Sequence, residues 1–558
     1  MSAVPLLIWM HAAVLHAQIV GTAHDLSATG PGPIRALQEP EVCIFCHAPH
    51  TASPVTPLWN RSLPTLAYTL YSSSTLQAAT GQPTGTSKLC LSCHDGTIAL
   101  GSVLSRAEPI AMSEPLSGRS DLTTDLSDDH PISFAYDAVL AGQDPELLDP
   151  GLLPPAVSLD SAGELQCTSC HDPHSAQHPD FLVLDNAFSA LCTACHEKTG
   201  WLASAHQSSM ATWNGAGSDP WPHTDAPTVG ENGCEGCHAP HAAGSGAWLL
   251  NFFFEEENCL RCHNGNVASL DIAGELQKPY RHPVDSFVGA HEPDENPLSM
   301  PWHVECADCH EPHQARAGPA LAPDVSGPLT GAGGVTAGGT PIAAASFQYE
   351  VCFRCHADNP AAPLPQIQRV IHEPNLRLRF SLGGPSFHPV EGPGRNPDVP
   401  SLIGPLSESS VIYCTDCHAG DDGPGVGGGG PAGPHGSSWP FLLEREYRTV
   451  DNTPESAQAY ALCYKCHDRS SILGDESFAK HKKHIEGERA PCSVCHDPHG
   501  IPAGSGSPTG NSHLINFDTG VVQPNPQNGR LEFVDEGFRQ GACTLLCHGK
   551  RHQDQRYK

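Results

Sequence analysis

The chain is short of cations. Of its 558 residues, 29 are lysine or arginine against 61 aspartate or glutamate, a formal charge of −32 with histidine neutral. A surface of that sign repels phosphate, which argues against nucleic acid or an anionic membrane surface as a partner. The bland reading of the same charge is solubility, and it carries most of the weight. Aromatic residues are only 6% and hydrophobic residues 39%, while glycine (54) and proline (53) are abundant. Such a chain is poor in helix and strand formers and struggles to bury a core from its own side chains. No stretch keeps a 3.6- or 2-residue apolar period. Methionine is scarce, five in all, with Met1 and Met10 in the first stretch. Val4 to Ala17 is apolar but too short to span a bilayer. It reads as the hydrophobic part of a secretory signal over residues 1–17, although no lysine or arginine precedes it. No later segment is long and apolar enough to cross a membrane, so no transmembrane segment is expected.

No cysteine stands outside a paired motif, which leaves none for a disulfide framework or a lipid anchor. Eleven pairs read Cys-x-x-Cys-His: Cys43/Cys46/His47, Cys90/Cys93/His94, Cys167/Cys170/His171, Cys192/Cys195/His196, Cys234/Cys237/His238, Cys259/Cys262/His263, Cys306/Cys309/His310, Cys352/Cys355/His356, Cys414/Cys417/His418, Cys463/Cys466/His467 and Cys492/Cys495/His496. The twelfth, Cys543/Cys547/His548, has one more residue between its cysteines, and together the twelve consume all 24. Zinc ribbons fold two cysteine pairs on one metal and require no histidine after each pair. Cys-x-x-Cys-His attaches c-type haem: two thiols bond one porphyrin edge and the adjacent imidazole reaches the iron. About twelve covalent haems would supply the apolar surface the side chains lack. The expected fold is therefore mostly irregular, with short helices and very little strand, an extended multihaem chain whose core is the packed haems.

The motifs sort into six consecutive pairs, each a repeat unit. Residues 18–155 carry the first, with a proline-rich joint at its end. Residues 156–225, 226–300, 301–400, 401–485 and 486–558 carry the second to the sixth. The first motif of a pair usually continues Cys-His-x-Pro-His, as in His47 to His50, His171 to His174, His238 to His241, His310 to His313 and His496 to His499. The fifth pair departs, since His418-Ala419-Gly420 has no Pro-His. Gly318 to Gly339 and Gly423 to Gly433 read as low-complexity linkers.

The sixth iron ligand separates a relay from a catalyst. Of 34 histidines, twelve are proximal and His11 and His16 lie in the signal, which leaves twenty. Methionine is too rare for Met/His ligation to be general, so bis-His, low-potential irons are the economical reading. A histidine three residues after the proximal one does not readily reach the far face of the same ring, and the intervening proline breaks a helix there. His50, His174, His241, His313 and His499 are therefore expected to ligate neighbouring haems and lace each pair together, with surface or propionate-binding roles as the bland alternative. Distal candidates of a second kind are His24, His130, His282 and His388. A third group is His206, His435, His484 and His513, with the choice between His481 and His484 open. For His178, His223, His291, His303, His372 and His552 ligation and the bland reading weigh equally. The thirteen candidates exceed twelve irons by one, unless one serves a haem of another subunit.

These residues resemble the doubled Cys-x-x-Cys-His family of multihaem cytochromes c of metal-reducing and related bacteria. The likeness rests on Gly21 to Ser27, Val42 to His47, Pro57-Leu58-Trp59-Asn60-Arg61, Cys90 to Gly96, His513-Leu514-Ile515-Asn516-Phe517 and Gly529 to Phe533. It implies a chain of close bis-His haems carrying electrons in the periplasm, across the outer membrane or outside the cell. It implies no catalytic residue. It also implies other cytochromes as redox partners, with an outer-membrane porin, a self-polymer or a metal oxide as further expectations. The competing expectation is a reductase or oxidase of small nitrogen or sulfur compounds with one open haem, sought first in the fifth pair.

Overall fold

The computed structural model describes residues 19–50, 58–286, 291–360 and 365–557. The segment read as a secretory signal, with His11 and His16, lies outside them, as does Pro57. Among the described residues no helix is long and apolar enough to cross a membrane. The chain is mostly irregular, built of one-turn helices and two-residue strand pairs.

Proline accounts for part of the shortness, although the motifs at Cys192, Cys414 and Cys463, which lack it, are also single turns. The turn Cys167–Cys170 ends at His171, which is already extended, because the residues running into Pro173 are pushed out of the helical region. Two second motifs, free of that proline, sit at the ends of longer helices: α1 (Gly85–His94) and α2 (Gln348–His356). Just beyond α1 stands Gly96 at φ +68, a left-handed stop that glycine adopts without strain. The Glu350 carboxylate caps the start of α2 by accepting from the Ser346 and Phe347 amides.

The chain divides into two compact units. The first comprises Met1–Thr199 and Trp221–Phe253, the second Gly200–Pro220 and Phe254–Lys558. The third pair, expected as one repeat over residues 226–300, is split by this division. Its first motif, with Cys234 and Cys237, belongs to the first unit, and its second motif, with Cys259, Cys262 and His263, belongs to the second. Strand pairs Thr69–Leu70 with Asp125–Leu126 and Phe134–Ala135 with Glu164–Leu165 tie the first unit. The second has one substantial sheet, formed by β1 (Val522–Gln523), β2 (Glu532–Gly537), β3 (Gln540–Cys547) and β4 (Lys550–Tyr557). Its order is β2-β3-β4, antiparallel, with β1 also on β3. This sheet is the exception to the expected scarcity of strand, and Val494, Ile515, Phe517, Val522, Phe533 and Leu545 cluster with it.

The glycine-rich stretches are folded rather than linking. Val335, inside Gly318 to Gly339, is fully buried against Tyr349 and Phe353 of α2 and pairs with Pro341. Apolar clusters elsewhere are small and separate. In the second unit the space between them is a continuous cavity of about 1850 Å³, lined by Cys352, Cys355, Cys414, Cys417, Cys463, Cys466, Cys492 and Cys495 and by the histidines that follow them. Attachment residues thus surround the volume where a side-chain core would otherwise lie.

Candidate haem sites

Nine of the eleven Cys-x-x-Cys-His segments show the same closing bond, the histidine amide donating to the first cysteine's carbonyl at 2.8 to 3.0 Å. The remaining two, at His94 and His356, end α1 and α2. One turn brings residues three apart to about 5–6 Å, so both sulfurs face one side, as attachment to one porphyrin edge demands. The 24 cysteines all lie among the described residues, and none is in a disulfide. The segments also contact each other in chain order. Cys90 donates to Cys167, Cys192 to Cys234, Cys352 to Cys414 and Cys463 to Cys492, each link joining one pair to the next. Within pairs, burial and then the thiol of Cys93 push Cys46 up to about 12, and burial and Cys195 do the same to Cys170. Burial with Cys466 nearby acts likewise on Cys417. Cys309 and Cys495 are raised chiefly by burial, with Cys352 and Cys543 among the neighbours that add to it.

The sixth site is placed differently. Its helix, Glu255–Leu260, takes in Cys259 and stops before Cys262, which falls in the turn beyond it and is half-buried. The turn still closes: the Cys262 amide donates to the Cys259 carbonyl at 3.2 Å and the His263 amide to the same oxygen at 3.0 Å. The Cys262 carbonyl accepts from Ala268 at 3.0 Å, as those of Cys195 and Cys466 accept from Leu148 and Ile403. Cys262 therefore keeps the expected attachment geometry with Cys259, although it is not the helical residue that the one-turn pattern leads one to expect. His263 ties this site to the seventh, since the His310 imidazole is among the causes that lower it. Sites one to five in the first unit, and six to twelve in the second, follow the sequence in space.

Nine pairs of imidazoles stand opposite one another. His47 faces His174, His94 faces His24, His171 faces His241, His196 faces His130, His263 faces His206, His310 faces His435, His356 faces His282, His418 faces His499 and His496 faces His481. Ring centres are separated by 6.1 to 6.3 Å in every case. A metal–imidazole bond is about 2.0–2.1 Å and the ring centre sits about 1.1 Å behind its nitrogen, so two rings on one ion stand roughly 6.2 Å apart. The residues fit a bis-His iron at each of these nine sites. His388 acts on His467 at a tenth, next after burial in lowering it to about 4.

Four of the Pro-His histidines follow one rule. The histidine of a pair faces the first site of the preceding pair: His174 faces His47, His241 faces His171, His435 faces His310 and His499 faces His418. The proline carbonyl holds the distal histidine of that preceding pair's second site. Pro173 accepts from the His24 ring. Pro312 accepts from Nδ1 of His206 and Pro434 from Nδ1 of His282, both at 2.9 Å, and Pro498 from Nδ1 of His388. Pro240 instead accepts the backbone amide of His130 at 2.8 Å. Fixing Nδ1 leaves Nε2 for the metal and raises its basicity. The lacing thus runs between pairs, not within each. His313 lies beside Trp201 and Glu311, and His50 is exposed.

The fifth pair is not irregular in this sense. Its Pro-His is Pro434-His435, carried away from His418-Ala419 by an insertion whose base closes where the Gly420 amide donates to Gly433. A Cβ on Gly428 would stand 1.9 Å from the Asp422 carbonyl oxygen, so the glycines are what lets this loop fold on itself. Pro434 and His435 perform both tasks of the rule, and His499 occupies the far side of His418. The open iron expected in this pair finds no support there.

Four first motifs have a return segment that the sequence reading missed. The proximal Nδ1 donates to a carbonyl of Asp180 (from His171), Trp248 (from His238), Phe441 (from His418) or His513 (from His496), at 2.7 to 2.9 Å. All four acceptors have positive φ and are followed by a second such residue, Phe181, Leu249, Leu442 or Leu514. This left-handed pair, costly for side-chain-bearing residues, aims the carbonyl inward. The chain then runs antiparallel to the motif, so that Val183, Asn251, Glu444 and Asn516 donate to the second cysteine's carbonyl. His513 is accordingly no distal ligand: its carbonyl is in the clamp and its ring meets Asp398 and Asp535. His481, not His484, faces His496; His484 packs against Tyr557. The recurring apolar pair before asparagine, as in Leu249-Leu250-Asn251 and Leu514-Ile515-Asn516, was the available signal.

The twelfth motif differs. Cys543 and Cys547 both lie on β3, and four residues of strand span about 13 Å, too far apart for one porphyrin edge. His548 Nε2 bonds Asp451 at 2.9 Å. These residues do not fit haem in this conformation.

Comparison with known families matches the doubled CXXCH motif at residues 161–200, 227–268 and 404–471, which hold the second, third and fifth pairs. No curated protein matches. The matched segments, about a quarter of the chain, carry the doubled CXXCH motif, and the facing imidazoles and ordered thiols are consistent with a multihaem c-type cytochrome.

Proposed function

We propose that the protein is an exported multihaem relay, with haem on its eleven Cys-x-x-Cys-His segments, that passes electrons through bis-His sites of low potential. The observation that carries this reading is the nine facing imidazole pairs, since a metal held on both faces has no position for a substrate. Haem, when bound, supplies one-electron exchange at iron. The chain's residues set its conditions: two imidazoles per site, Nδ1 hydrogen bonds that tune their basicity, and buried thiols that bring successive attachment edges together. Thioether attachment takes place on the exported side of bacterial membranes, which supports a periplasmic, outer-membrane-associated or extracellular location. The partners are other redox proteins, with a porin conduit, a self-assembled filament and a metal-oxide acceptor as the arrangements that electron microscopy and the neighbouring genes separate.

One observation favours a second reading, a reductase or oxidase of small nitrogen or sulfur compounds. No imidazole stands opposite His548 among the described residues, so were the strand carrying Cys543 and Cys547 to open and attach a haem, that iron would be open on one face. Intact mass of the secreted protein counts the haems, and ferric EPR with carbon monoxide finds open ones. Eleven haems, all low-spin and without CO uptake, are expected. A high-spin signal that disappears in Cys543→Ser would replace the relay by the second reading, and twelve haems would show that the C-terminal strand opens to attach one more.

A further inference from the structure

We infer that His291, Glu305 and Asp308 form a binding site for a divalent transition ion of zinc's size and geometry, set between the two attachment segments of the fourth pair. The site is distinct from the haem ligands. Glu305 and Asp308 flank and enter the turn Cys306–Asp308, while Arg354 lies between Cys352 and Cys355 on α2. His291 Nδ1 stands 3.4 Å from Glu305 Oε2 and 3.6 Å from Asp308 Oδ1, and the three donor atoms lie within 4.8 Å of one another. The first separation is at the long limit of a hydrogen bond and the second is beyond it. They are what a tetrahedral ion imposes, since donors about 2.1 Å from the metal stand roughly 3.4 Å from each other.

Two of the donors are also orphaned. Glu305 is 5% and Asp308 1% exposed, and Glu305 Oε2 and His291 Nδ1 have no hydrogen-bond partner, while Asp308 Oδ1 is ion-paired to Arg354. Buried polar atoms are rarely left so. The second oxygen of Asp308 is occupied, accepting the Glu305 amide at 2.8 Å, which orients the carboxylate. The charge balance points the same way. Glu255, Glu295, Glu305 and Asp308 converge here, and among the described residues the fixed cation facing them is Arg354, whose Nε is 3.1 Å from Asp308 Oδ1. Glu295 is taken by His303 at 3.0 Å, and Glu255 by the amides of His291 and Ala307. A 2+ ion held by one imidazole and two carboxylates would satisfy the open donors of Glu305 and His291 and share Asp308 with Arg354, which would support that carboxylate from outside as ligating carboxylates are usually supported.

The test uses the haem-loaded full chain, equilibrated with zinc and desalted. Elemental analysis is expected to show one zinc retained beyond any held by a Glu305→Gln protein of equal haem content. X-ray absorption at the zinc edge should then show nitrogen and oxygen neighbours at about 2.0–2.1 Å and no sulfur. Equal zinc in both proteins, or no retained zinc, would overturn the site and leave an ion-pair cluster around Arg354. Should the variant not accumulate with its haems, the absorption spectrum of the wild-type protein decides alone, and a sulfur-bound or purely water-like shell would also overturn it.

Discussion

Arg61 is fully buried, and its guanidinium donates to the carbonyls of Ser92, Ile98, Ala99 and Leu100 at 2.6 to 3.2 Å. Its neighbour Asn60 bonds the carbonyl of Ile44 and both the amide and hydroxyl of Ser105. Two adjacent side chains thereby fasten the first attachment turn to the second. Arg369 repeats the device at the sixth pair, donating to Ser493 and Asn516. A guanidinium suits the task because its fan of donors reaches several carbonyls at once. Arg61→Met is expected to leave those carbonyls buried without donors and cost about 3–5 kcal/mol, read as a lower urea midpoint. Arg61→Lys should recover less than half, since one ammonium cannot reach all four. A midpoint within experimental error of wild type for Arg61→Met would show that the clamp contributes nothing.

At the scale of the element, the loop between Ala419 and Pro434 is an insertion into a His-x-Pro-His segment, not part of the ligand machinery. Removing residues 420–433 would restore His418-Ala419-Pro434-His435. The loss is local: Lys278 gives up Asp421 and Asp422 but keeps Glu275. For partly exposed pairs that cost is about 1 kcal/mol or less. The shortened protein is expected to keep every haem low-spin, with His435 still opposite His310. A single new high-spin haem in the EPR spectrum would mean that the loop, and not the Pro-His segment, places His435. The same reasoning makes Pro434 interchangeable with Pro173 or Pro498, because what each supplies is a carbonyl at a fixed place in an extended dipeptide.

For the molecule as a whole, the buried imidazoles set the response to acid. Burial lowers His196, His263, His356, His435, His467 and His496 to about 4 and His481 to about 3. In the unfolded chain these groups titrate near 6.5. As pH falls from about 6.5 toward 4 the unfolded state takes up protons that the folded state refuses, so stability falls through that window and levels off below it. Each group contributes up to about 1.4 kcal/mol per pH unit across it. Iron competing for the same nitrogens acts in the same direction. Urea midpoints at pH 7 and pH 4.5 are expected to differ strongly, with the acid value lower. A midpoint independent of pH would contradict the burial of these rings as neutral groups.

The attachment chemistry was readable in the sequence because it is local. A thiol pair closed in one turn with its imidazole needs no other part of the chain, and the proline that follows stops the helix wherever it occurs. Even Cys262, which lies past the end of its helix, is brought to Cys259 by bonds within the motif. The shortage of apolar residues likewise announced a core not made of side chains. Which imidazole faces which is another matter. His47 and His174 stand 127 positions apart, and nothing in either motif encodes the other; the pairing exists because the Pro-His of one pair folds back on the pair before it. The same holds for His481 over His484, for His513 as a carbonyl clamp, and for the fifth pair, whose displaced Pro-His reads as absence until the loop is seen to close. Covalent attachment is decided by neighbours in sequence, whereas axial ligation is decided by what meets across a plane, and only the tertiary structure brings those two faces together.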